Sequence, residues 1–278
     1  MSTVDEPADD DVDASRAPLL DHLTELRQRL LRCVYALVLA FAVCFYFSEQ
    51  IFAFLVVPLK DAFGDGNGRL VYTKLYEAFF VQVKVAFFGA FCVSFPIIAN
   101  QLWAFVAPGL YRKEKRALLP FILATPLLFT AGAALAYYVV MPTAFRFFLQ
   151  FQGDSAGLEV EALPSTDAYL SLVMQFILAF GISFLLPVLL MLLNRAGIVS
   201  RDQLKSVRRY MIVAAFIVAA VITPPDVVSQ LMLAIPLILL YEFSILAIWF
   251  TERKAAKAKL DADAQEEPEA SPQSEPAE

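Results

Sequence analysis

Six apolar stretches separated by charged gaps leave this chain few folds open to it. Leu30–Phe47, Phe79–Phe105, Leu118–Met141, Tyr169–Leu193, Tyr210–Ile222 and Val227–Phe250 are each nearly free of charge. A hydrocarbon core about 30 Å thick requires roughly 20 such residues in a helix. All but one approach that length; Tyr210–Ile222 would reach only about 20 Å at 1.5 Å per residue. It ends at Thr223-Pro224-Pro225-Asp226, a forced turn. The sequence therefore predicts an all-α polytopic membrane protein with six transmembrane helices.

The formal charge of −6 misleads, because much of the acid lies at the two ends. Residues 1–18 hold Asp5, Glu6, Asp9, Asp10, Asp11 and Asp13, and residues 261–278 are rich in Asp, Glu and Pro. Neither stretch has the apolar surface to offset ordering entropy. Residues 1–18 and 251–278 are thus expected to be disordered charged cytoplasmic tails around a membrane domain spanning 19–250. The acidic start gives no sign of a cleavable leader. Cys33, Cys44 and Cys92 fall inside spans and read as small packing residues rather than a disulfide framework.

Lys and Arg set the orientation. Seventeen crowd the gaps on one side: Arg16 to Arg32, Arg112 to Arg116, Arg195 to Arg209 and Arg253 to Lys259; five (Lys60, Arg69, Lys74, Lys84, Arg146) lie on the other. Both termini are expected in the cytoplasm. Pro96, Pro120, Pro126, Pro187 and Pro236 punctuate the spans, and each removes a backbone hydrogen bond and bends its helix. Such helices would together make a concave scaffold. The outer loops are expected near Ser48–Ala78, with an amphipathic run Ile51–Val57 stopped by Pro58, and Pro142–Ala168, whose phenylalanines suit the interface. Lys84 can snorkel outward, and Glu242 needs a partner.

Before the first span the chain reads Leu20-Asp21-His22-Leu23-Thr24-Glu25-Leu26-Arg27-Gln28-Arg29-Leu30, an amphipathic surface helix in which Glu25 and Arg29 can pair four residues apart. The second gap runs from Gln101-Leu102-Trp103-Ala104-Phe105 through Pro108-Gly109-Leu110-Tyr111-Arg112-Lys113-Glu114-Lys115-Arg116. With Phe95-Pro96 and Thr223-Pro224-Pro225-Asp226-Val227-Val228-Ser229-Gln230, these segments resemble the TatC family, the multispanning core of the twin-arginine protein translocase. The resemblance covers about Leu19 to Phe250.

It implies a receptor and scaffold of the bacterial cytoplasmic (inner) membrane, multi-pass with both ends inside. Such a protein binds twin-arginine signal peptides and, with TatA- and TatB-type single-span partners, exports folded proteins using the proton-motive force. Glu25, Glu114 and Phe105 match family positions at the signal-peptide site, and Pro58 matches one in the first outer loop. A carboxylate accepts a guanidinium fork bidentately, which suits Glu25 and Glu114 to paired arginines. Gln175 and Gln230 are expected to dock partner helices, and self-association is expected. Many family members carry a glutamate where this chain has Leu185.

A small-solute secondary transporter is the alternative, but no internal repeat of the kind such folds use is evident. The lone histidine, His22, lies outside the spans, and HExxH, GxSxG and a Gly-rich phosphate cradle are all missing. Neither catalytic residues, a metal nor a cofactor is expected, nor a nucleic-acid partner.

Overall fold

The computed structural model describes residues 10–64, 68–110, 115–155, 158–160 and 162–266. Helix α1 (Asp10–Tyr46) leads into α2 (Ser48–Phe63) and then α3 (Glu77–Leu110). Helix α4 (Lys115–Leu135) continues through a π turn at Ala136–Val140 into α5 (Met141–Leu149). A hairpin of β1 (Gly153–Ser155) and antiparallel β2 (Leu158–Val160) precedes α6 (Thr166–Ser183) and α7 (Leu186–Arg195). Short α8 (Arg201–Ser206), α9 (Arg208–Ile222) and α10 (Val227–Glu266) complete the chain. We call the side bearing α8 the basic face and the side bearing the β-hairpin the hairpin face.

Among the described residues five helical stretches are long and apolar enough to cross a bilayer: Leu23–Tyr46, Glu77–Phe105, Phe121–Leu149, Thr166–Arg195 and Val227–Lys254. The remaining segment, α9, has 15 residues and falls short, as its sequence foretold. Helix α6 is the centre of the packing. Its Leu170, Val173, Phe176 and Phe180 are fully enclosed, against Leu55, Val81, Val85, Met141 and Leu233. Helix α1 packs along α3 through Cys44 and exposes Leu39 and Val38, a surface suited to lipid.

The helices run further than the sequence predicts. Helix α1 starts at Asp10 and α10 persists to Glu266; of the two tails, only residues 1–9 and 267–278 lie outside the described residues. Once a span has nucleated a helix, adding residues is cheap, and 252–266 are dominated by Ala, Lys and Glu, the best helix formers.

Two prolines expected to end helices do not. Pro58 sits inside α2, buried. Lacking an N–H, it frees the Phe54 carbonyl one turn earlier, and the Tyr137 hydroxyl donates to that oxygen at 2.7 Å. The Phe54 and Tyr137 rings stack at 4.4 Å. Tyr169 donates likewise to the Leu55 carbonyl at 2.7 Å. Pro142 follows the π turn, whose wider backbone ladder absorbs the missing bond. The third span therefore reaches Leu149, and Phe145, expected at the interface, is buried. Pro187 does interrupt its span, and α6 gives way to α7 at Phe184–Leu185.

Candidate functional site

Glu25 lies on the basic-face end of α1. Arg29 donates to its Oε1 through Nε at 3.0 Å and Nη2 at 2.5 Å, the pairing that four-residue spacing allows. Both bonds fall on one oxygen, and the Glu25 side chain remains 38% exposed. The Arg29 side chain is only 19% exposed, so the pair is partly buried and Glu25 is its more open member.

The register between α1 and α3 relates Glu25 to Phe105. A Cβ added to Gly89 of α3 would come 3.4 Å from the Cys44 Sγ of α1, which fixes the level of the two helices. Counting 1.5 Å per residue from there, Glu25 lies about 28 Å and Phe105 about 24 Å toward the basic face. Phe105 is half-buried. One turn before it, the Gln101 Oε1 is buried with no donor, an acceptor to which the sequence reading gave no role. Glu114 lies outside the described residues.

Trp103 anchors this end of α3. It packs on Val188 and Leu192 of α7 and donates from Nε1 to the Thr125 Oγ1 on α4 at 2.7 Å, a buried bond. Thr125→Val keeps the shape and strands the indole N–H. The variant is expected to lose about 1–2 kcal/mol, read as a lower melting temperature of the detergent-solubilised protein.

The other expected residues divide. Gln175 is exposed on α6 in an open groove of about 620 Å³ lined by Lys84, Phe87, Phe91, Leu178 and Ile222. Gln230 is half-buried, its Nε2 donating to the Phe216 carbonyl of α9 at 3.3 Å. Leu185 sits at the α6–α7 break against Phe95, Ala99 and Phe129, so that corner is apolar. Glu242 finds its partner in the Arg208 Nη2 at 2.8 Å.

Sequence reading missed two polar links at the hairpin face. Lys84, read as snorkelling, pairs with Asp167 and reaches the Ser171 Oγ at 3.2 Å. Glu77 is buried and accepts four hydrogen bonds. Only a lysine two turns into α3 and an acid in the first turn of α6 hinted at the first, since the partners are 83 residues apart.

A family model described as Sec-independent protein translocase protein (TatC) matches residues 21–236. The Sec-independent protein translocase protein TatC of Magnetococcus marinus is 50% identical over 250 residues, 90% of each chain. That of Escherichia coli strain K12 is 40% identical over 228 residues, 82% of this chain and 86% of its own length. A crystal structure described as the twin arginine translocase receptor TatC superposes with a TM-score of 0.72 at 38% identity, covering 82% of this chain and 98% of that one. Helical order, motifs and overall superposition agree, and this chain belongs to the TatC family of Sec-independent protein translocase proteins.

Proposed function

We propose that this protein is the receptor of a twin-arginine export system, binding paired arginines of a signal peptide at its basic face through Glu25 and Glu114. The observation that carries the reading is the state of Glu25. It is a carboxylate 38% exposed at about the depth of Phe105, with one oxygen engaged by Arg29 and the other without a partner among the described residues. A charge-assisted guanidinium contact is worth about 1.5–3 kcal/mol, and the second Glu25 oxygen accepts it without displacing Arg29.

Glu114, nine residues beyond Phe105, supplies a second carboxylate for the second arginine. Phe105 offers an aromatic face to the apolar part of the signal. The basic face is cytoplasmic, with both termini on that side of a bacterial inner membrane, and residues 19–250 form the translocating body. TatA- and TatB-type single-span helices join through the exposed Gln175 groove, and the proton-motive force drives folded cargo across.

The test is binding of a fluorescent diarginine signal peptide to the full chain in nanodiscs. Glu25→Gln and Glu114→Gln are each expected to weaken binding about tenfold, one charge-assisted contact apiece. A dilysine peptide should bind wild type as weakly as a single variant binds the diarginine one. Wild-type affinity in the Glu25→Gln/Glu114→Gln double variant would overturn the assignment.

A further inference from the structure

At the Lys254 end of the last span two guanidiniums converge on one indole. The Cζ of Arg253 lies 5.4 Å from the Trp249 ring centroid, and that of Arg201 5.8 Å. Arg253 is one helical turn past Trp249, so α10 itself supplies that contact. Arg201 is brought from α8, and several interactions hold it there. Ser200 and Gln203 form a capping box, Leu204 is buried, and the Tyr241 hydroxyl of α10 donates to the Leu204 carbonyl at 2.7 Å.

The two like charges repel, and no acid compensates them: among the described residues neither arginine has a carboxylate within ion-pair distance. Nearby acids are engaged elsewhere, Asp202 with Lys205, Glu242 with Arg208, and Glu252 as acceptor from Asn194. The Nε of Arg201 is buried without an acceptor, a loss for a charged donor in a low-dielectric setting. Trp249 stands where the apolar span ends, the level at which indoles meet lipid headgroups. Leu246 and Phe250 beside it are half exposed, an apolar surface for acyl chains.

We propose that Arg201 and Arg253, held over Trp249, form a site for the phosphate of an anionic glycerophospholipid. A phosphodiester at the indole edge takes a planar fork from each side, the geometry for which arginine is suited, while its chains run down past Phe250 and Leu246. The site clamps α8 to the end of α10 and so fixes the depth of the last span.

Native mass spectrometry of the full chain, titrated with phosphatidylglycerol against phosphatidylcholine, tests this. Arg201→Gln/Arg253→Gln is expected to retain about tenfold less phosphatidylglycerol, whereas Lys205→Gln/Lys257→Gln, which removes the same charge, stays within about twofold of wild type. Arg253→Gln alone alters an exposed side chain and should lose part of the retention without touching the fold. Brominated phosphatidylglycerol should quench Trp249 more than brominated phosphatidylcholine does. Equal losses in both double variants would reduce the effect to diffuse surface charge and overturn the site. Displacement of the lipid by millimolar inorganic phosphate, or its binding only after removal of residues 267–278, would assign the pair to a free anion or to the chain's own acidic end.

Discussion

Gly132→Val is expected to push the third and fourth spans apart and to cost at least about 3 kcal/mol, the scale of a severe overpacking error. A Cβ at Gly132 would lie 2.4 Å from the Phe180 carbonyl oxygen and 2.9 Å from its carbon. These are backbone atoms of a fully packed helix and cannot rotate away. The contact is reciprocal, since a Cβ at Gly181 would meet the Phe129 ring at 2.6 Å. Phe129 in turn stacks on Phe95 at 3.9 Å. Without a hydrophobic drive between helices in lipid, such close small-residue approaches are what hold spans together. Melting of the solubilised protein should drop by roughly 5–10 °C. Gly181→Ala should drop less, because a ring edge can shift where a carbonyl cannot. An unchanged melting point in Gly132→Ala would mean the helices do not approach this closely.

What the sequence made legible follows from which forces are local. Span positions rest on apolar run length, and the shortness of α9 on where Pro224 falls, so both could be read directly. The Glu25–Arg29 contact is a matter of helical spacing and was also readable. The passage of α2 through Pro58 was not, because the group that satisfies Phe54 is a hydroxyl on Tyr137, 83 residues away. The extension of the third span past Pro142 needed a π turn that no composition announces. The bond from Gln230 to the Phe216 carbonyl was hidden as well, because a backbone acceptor carries no side-chain signal. Family resemblance pointed to Glu25, Phe105 and Glu114 as a set, yet Gln101 emerged only as an unpaired buried oxygen. Properties that depend on long-range backbone partners were the ones that stayed hidden.

Glu77→Ala is expected to release the strap that closes the hairpin face, with amide exchange at residues 73–74 and 167 accelerating by about 100-fold. The Glu77 Oε2 accepts from the Thr73 N–H at 2.6 Å, the Thr73 Oγ1 at 2.8 Å and the Lys74 N–H at 3.1 Å. Its Oε1 accepts from the Asp167 N–H in the first turn of α6 at 3.0 Å. A single carboxylate therefore caps the start of α6 and holds the turn that leads into α3, its charge placed in the first turn of one helix and at the N-terminus of the other, where both macrodipoles favour it. Around it Thr166 donates its N–H to the Val71 carbonyl at 2.9 Å and Val71 to that of Pro164 at 3.2 Å, so the strap is one connected network. Alanine removes every acceptor at once. Glu77→Gln keeps one carbonyl oxygen and loses the charge, so its exchange rates should fall between those of wild type and alanine. Because the same strap sets α3 against α6, the Lys84–Asp167 pair and the groove beneath it should loosen with it. Faster exchange confined to Thr73 and Lys74, with Asp167 as protected as before, would show that α6 holds its place without Glu77.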